Sequence, residues 1–449
     1  MYDMSKRTRV KIVIVILLLI IGLVFVCGCS KRGITTTPTP VQTTYSSTLN
    51  LSSPATPLSQ VKVVTLYERV SDGVAFGRST DDVINIFRDT NTDLIFRGFF
   101  RWEPVPESPD ASLPGYSSSY VKGKADIGYT YSQLGDAISQ IKAAKPNTIF
   151  VGAIANQRLN KFEINDITGE SLTQSQTWAM ALDPAKYNMG VSKEDFQCQV
   201  AKLLGEISSS TSCPSGYNPE TAPAYFPDIT NEQYQELLVS HAAKQIDLGA
   251  DAIWIDGFFA QTQYFHRFSK NPDDPAKKAA YDASSSVIDK IHEYGKTKYG
   301  KDIYVGTWST FTDFPYPPPA VDFVTVSPKA KEMTSGFDES YWNSFKETVT
   351  NKLGSVPIYV FIDWDGSAVA PMGVFSQTLP PAQQSTFLQN ADDFFTKKGM
   401  TFVYPVHGGT FPRNSARLAF GKYGVYDSVA PEFGTYDTIK TLSLKKVGV

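Results

Sequence analysis

Two apolar runs in this chain end on an acid: ADAIWID closes on Asp256 and PIYVFID on Asp363, with Asp365 two residues further on. A carboxylate at the end of a buried strand is costly unless a cleft or a partner uses it. Two such groups, one protonated and one ionised, are what acid–base cleavage of a bond between two oxygen-rich units requires. Flat and hydrogen-bonding side chains that could hold a substrate recur at the ends of other apolar runs. They are Tyr67, Arg97, Trp102, Trp308, Trp364, Tyr404 and His407, and Glu103 in RWEPVPE is a further candidate acid or contact. Each has a plainer reading as well. An acid there can cap a helix or pair with Arg97 or Arg101, and each aromatic can simply pack.

Other chemistries find less material. There are 4 histidines and 4 cysteines, without metal-ligand spacing, so no metal and no cofactor is expected. No G-x-S-x-G elbow for a serine nucleophile occurs, and no glycine-rich phosphate loop follows an early strand. A net charge of −3 with no basic stripe beyond the first residues excludes nucleic acid as an expected partner. The aromatic share of 13% within 42% hydrophobic residues suits a globular domain that stacks on flat ligands.

The N-terminus carries Lys6, Arg7, Arg9 and Lys11 and then an apolar run from Ile12 to Val26, ending in Val26-Cys27-Gly28-Cys29. That pattern reads as a signal peptide or anchor over 1–29, similar at its end to a lipobox, with lipidation expected at Cys29. An uncleaved anchor and full secretion are the alternatives; all three put the domain outside the cytoplasm, and the first two hold it at the cell surface by the membrane. Residues 30–59 are Thr/Ser/Pro-rich and read as a disordered tether. In an exported chain Cys198 and Cys213, in a serine-rich stretch, are expected to form a disulfide.

From residue 60 to 449 a single domain is expected, because strand-like and helix-like patterns alternate. Apolar runs at 61–67, 92–100, 147–155, 250–256, 302–308, 321–327, 357–364 and 400–406 are separated mostly by helical periodicity. A Thr-x-x-Gln box at Thr230 is expected to open the helix before 250–256, and the link 309–320 is expected to lack a full helix. Eight strands in this order predict an α/β fold of the (β/α)8 barrel type, rather than an open doubly wound sheet. In such a barrel the strand C-termini face one mouth. That gathers Glu68, Asn156, Gln157 and Arg158 with the candidates above, and makes Asp256 and Asp363 the favoured pair across it.

The segment FPDITNEQYQELLVSHAAKQIDLGADAIWIDGF resembles the corresponding part of (β/α)8 glycoside hydrolases, above all the polygalactosaminidase-like group, in which a helix leads into G-x-D-G-[apolar]-x-x-D. The resemblance implies that Asp256 takes part in glycosidic hydrolysis. This chain departs from many such barrels in having Asp rather than Glu at strands four and seven and Trp308 where strand five would end on an acid. The expected activity is a cell-surface glycoside hydrolase acting on a polysaccharide or oligosaccharide. The alternatives are a non-catalytic carbohydrate-binding barrel and a barrel hydrolase that recruits a divalent metal.

Overall fold

The computed structural model describes residues 56–448 except 270, 272, 364–368 and 413. Eight parallel strands form the barrel: β1 Val64–Tyr67, β2 Leu94–Arg101, β3 Ile149–Ala155, β4 Ala252–Asp256, β5 Tyr304–Trp308, β6 Phe323–Val326, β7 Ile358–Val360 and β8 Thr401–Gly408. They are hydrogen-bonded in chain order, and β8 pairs back onto β1 through Val64↔Val403 and Thr65↔Tyr404, which closes the sheet. The expected (β/α)8 barrel is therefore the observed fold.

Alternation along each strand builds two cores. Val64, Leu66, Leu94, Phe96, Val151, Ala153, Ala252, Trp254, Phe323, Tyr359, Phe361 and Val403 fill the interior. Residues one step out of phase, such as Ile95, Phe150, Ile253, Ile255, Val324, Phe402 and Tyr404, pack against the surrounding helices. Gly306 leaves room for the Phe323 ring, since a Cβ there would stand 2.1 Å from it. The interior is packed rather than open, so chemistry is confined to the ends of the strands.

The helices that cover the barrel are α1 Thr80–Asp89, α2 Tyr131–Ala144, α3 Glu232–Asp247, α4 Pro275–Tyr299, α5 Glu339–Leu353, α6 Pro381–Lys397 and α7 Tyr436–Val447. Ser79 and Asp82 cap α1 reciprocally, which satisfies two N–H groups that its first turn leaves open. One expectation about caps fails. The residue that opens α3 is Asn231, whose side chain accepts from Tyr234 N at 3.1 Å. Thr230 instead donates to Asp228 at 2.8 Å, because its hydroxyl is drawn into the preceding loop. Between β5 and β6 only a 3-10 turn, Ser309–Asp313, replaces a helix, as the proline-rich link implies.

The excursion between β3 and β4 carries one short hairpin, Glu163–Ile164 with Ser171–Leu172, a two-residue pairing of its ends, Leu159–Asn160 with Ala224–Tyr225, and two helices, Gln174–Met180 and Lys193–Leu203. Cys198 and Cys213 are joined there as a disulfide, with Cα atoms 5.7 Å apart.

At the opposite end of the barrel the chain before β1 acts as a plug. Leu58 joins the interior core, and Tyr304 Oη donates to Thr56 O at 3.2 Å. The packed domain thus begins a few residues before position 60. Leu58→Ala should cost about 2 kcal/mol of stability in urea denaturation. An unchanged midpoint would mean that the plug contributes nothing.

Candidate active site at the barrel mouth

Strand parity decides which strand-end side chains enter the mouth. Trp254 points inward, so Asp256, two residues on, does too, and its backbone partner is Ala155 of β3. The same phase carries Gln157 inward beyond Ala155, Trp308 beyond Gly306, and Asp363 beyond Phe361. The Asp256 carboxyl is gripped by two of these neighbours: Trp308 Nε1 donates to Oδ1 at 2.7 Å and Gln157 Nε2 to Oδ2 at 2.9 Å. Gly257 has φ +60, and a Cβ there would lie 2.7 Å from Gln157 Oε1. Glycine is needed both for the left-handed turn and for the amide that lies against it.

Burial raises the Asp256 pKa above its usual value, opposed first by the charge of Arg97 and then by the hydrogen bond from Trp308. Asp256 is therefore a fixed carboxyl whose proton is held more tightly than that of an ordinary aspartate.

Arg97 occupies the centre of the mouth. The β2–β3 register shifts between Ile95 and Phe99, and Arg97 sits in that bulge with φ +56, a left-handed conformation that non-glycine residues rarely adopt. Without the bulge, Arg97 would follow Phe96 onto the outward phase and point at the helices. With it, the guanidinium lies over Phe100 and Trp254, 4.4 and 5.1 Å from their centroids, and is only 4% exposed. Nη1 is 3.8 Å from Asp363 Oδ1 and Nη2 is 3.7 Å from Glu68 Oε1. Glu68 also accepts from Gly409 N at 3.3 Å, which ties the end of β1 to the end of β8.

Asp256, Asp363, Arg97 and Trp308 are thus brought together, with Glu68 and Gln157 added. The sequence marks both of these as strand-end residues without giving them a role. For Gln157 the signal was present in the inward phase of Ala153 and Ala155. For Glu68 it was present as well, since Val64 and Leu66 fill the interior and Glu68 shares their phase; the β1–β8 register shift falls in β8. Trp102 is half-buried on the loop after β2, with one face of its indole 5.4 Å from the Arg158 guanidinium. It is placed to offer a flat surface beside Phe100, whose ring is 5.4 Å away.

Four expectations need correction. Glu103 is bound by Lys124, accepts from Tyr120 Oη at 3.4 Å and lies 3.9 Å from Arg158. Burial alone would raise its pKa, but Lys124 and Arg158 reverse that and lower it, so Glu103 is a poor proton donor. Tyr67 is fully buried and its hydroxyl accepts from Arg78 Nη1 at 3.0 Å. Tyr404 is on the outward phase of β8 and donates to Asp392 at 2.9 Å, so neither tyrosine can stack on a substrate.

His407 is 2% exposed, and both ring nitrogens are occupied: Nδ1 lies 2.8 Å from Asp427 Oδ2 and Nε2 2.8 Å from Asp72 Oδ2. It is a structural cation, not a ligand contact. Arg101 is likewise turned away, held by Glu163 and Asp166 behind the mouth. Trp364, Asp365 and Cys29 lie outside the described residues. No group of His, Cys, Asp and Glu suited to a metal ion occurs among the described residues.

Burial alone would lower the His407 pKa, but Asp72 and Asp427 hold it at about 10. Its charge therefore contributes stability that is complete below the unfolded value of about 6.5 and is lost as pH rises through about 10. Arg78, which pairs with Asp427 at 2.9 Å, stays charged across this range. Thermal melts from pH 6 to 10 should show a falling alkaline limb that His407→Gln flattens while lowering the melting temperature at neutral pH. Parallel limbs in the two proteins would show that His407 is not charged in the fold.

No protein-family model matches the chain, and no curated protein matches it in sequence. Among solved structures it is similar to the glycoside hydrolase domain of PelA from Pseudomonas aeruginosa, at 10% identity over 60% of this chain and 83% of that one, with a TM-score of 0.34. Eubacterium rectale Amy13B is 12% identical over 88% of this chain and 80% of its own, TM-score 0.44. The cyclic α-maltosyl-(1→6)-maltose hydrolase from Arthrobacter globiformis, in complex with its namesake substrate, is 11% identical over 87% and 84%, TM-score 0.45. Likeness at this level transfers no residue roles to this chain.

Proposed function

We propose that the mouth hydrolyses O-glycosidic bonds of a polysaccharide, with Asp256 as the general acid and Asp363 as the ionised carboxylate across from it. The observation that carries this reading is the state of Asp256, a carboxyl fixed by Trp308 and Gln157 with its pKa raised by burial. A general acid must hold its proton near working pH and release it to the leaving oxygen as the C–O bond breaks. Asp363, next to Arg97 and part-exposed at 32% of its side chain, faces the carbon on which positive charge develops, and water completes the hydrolysis.

Trp102 supports the same reading as a half-buried flat ring beside Phe100, which itself lies against Arg97. The polygalactosaminidase-like resemblance around Asp256 points to the same activity, and the N-terminal pattern over 1–29 with the tether 30–59 to a cell-surface enzyme held by Cys29 lipidation or an anchor.

Purified protein screened on a polysaccharide panel should release reducing ends. Asp256→Asn should reduce turnover by roughly a hundred-fold or more while glycan binding persists. Binding by the wild type without any release would replace the enzyme with a non-catalytic carbohydrate-binding barrel.

A second expectation separates the acid role from a structural one. The bond from Trp308 Nε1 favours the ionised form of Asp256, so Trp308→Phe raises its pKa further. A general acid is then protonated to higher pH, and the alkaline limb of the kcat/KM profile should move upward. A limb that stays in place would remove Asp256 from the acid role.

A further inference from the structure

Phe420 is the one phenylalanine, tyrosine or tryptophan among the described residues that stands openly exposed, at 40%. It lies at the tip of a small hairpin in the chain after β8, closed by Ala419 N to Tyr423 O at 2.8 Å and Tyr423 N to Ala419 O at 3.0 Å. Its φ is +54 and that of Gly421 is +69. Tips of this shape favour asparagine, aspartate or glycine, because a bulky side chain in the left-handed region is strained. Phenylalanine here therefore costs stability twice, once in its backbone and once in its exposed apolar surface.

The surroundings hold the strained conformation in place. Glu432 Oε2 accepts from Phe420 N at 3.1 Å, the Arg78 guanidinium lies 5.9 Å from the ring centroid, and Phe76 packs edge-on at 6.5 Å. Phe76 in turn packs on Tyr423 at 4.2 Å and on His407 at 5.0 Å. A strained residue whose neighbours fix it points to a use outside the fold itself.

The hairpin also connects with the mouth. Arg78, beneath Phe420, donates to Tyr67 Oη at 3.0 Å, and Tyr67 is followed directly by Glu68. Gly409, directly after β8 in the chain that goes on to the hairpin, donates its N–H to the same Glu68. The Phe420 ring thus stands where the chain after β8 meets Phe76 and Arg78 of the chain after β1, at the end of the barrel that carries the mouth.

We infer that Phe420 is an outlying sugar-stacking platform, which takes a ring of a long glycan chain whose scissile bond lies in the mouth. This rests on the glycosidase reading of the site. A sugar's C–H face packs well on an aromatic ring, and a platform on the rim adds affinity for polymers while short oligosaccharides do not reach it.

Phe420→Asn tests the idea, because asparagine suits the hairpin tip. The variant should melt at or above the wild-type temperature and keep wild-type kcat/KM on the shortest oligosaccharide cleaved. Its KM for the parent polysaccharide should rise roughly three- to ten-fold. A lowered melting temperature with unchanged polymer KM would make the ring structural and overturn the proposal, as would equal losses on short and long substrates. Activity that is present in the wild type, lost in Asp256→Asn and indifferent to Phe420 on every chain length would sink the platform while sparing the glycosidase reading. Failure of the wild type to cleave any glycan would sink both.

Discussion

The mouth of this barrel is organised by one buried positive charge. Arg97 is removed from water on a bulge in β2, and a guanidinium in that position is stable only where carboxylates and aromatic faces replace its hydration. Phe100 and Trp254 supply the faces, and Glu68 and Asp363 supply charge from the ends of β1 and β7. Asp256 then lies in a field that opposes, without cancelling, the effect of its burial. Each of these groups would be unfavourable alone. Together they hold three carboxyl groups and one guanidinium in a single cleft, with the proton of Asp256 held more tightly than that of an ordinary aspartate.

A second charged assembly, behind the mouth, holds the seam where the sheet closes. His407 is clamped between Asp72 and Asp427, stacks on Tyr67 and lies under Phe76. Its carbonyl accepts from Glu68 N at 2.9 Å, so the seam and the site share a residue. The two networks divide the work: the seam fixes the ends of β1 and β8, and Arg97 sets the electrostatics between them.

The barrel itself was legible, because its signals are local. Apolar runs separated by helical periodicity give strand number and order, and parity along ADAIWID and PIYVFID aims both acids inward. The tyrosines were misassigned for lack of the same test: Tyr404 follows inward Val403 and therefore faces the helices. Glu103 was misjudged for a different reason. Its partners Lys124, on the helix Ser118–Asp126, and Arg158, just after β3, come from separate segments, and no spacing in the chain announces that three such groups will meet.

The sequence by itself determined the eight strands, the placing of Asp256 and Asp363 at their ends, and the cysteine pairing, because each depends on residue type and short-range pattern. Tertiary structure alone decided that Arg97 turns inward through a bulge and meets Glu68 there, and that His407 is a structural cation. These depend on register shifts between strands and on the meeting of charges far apart in the chain. Only the closed barrel brings those groups within a few ångströms, where burial and charge decide which of them can do chemistry.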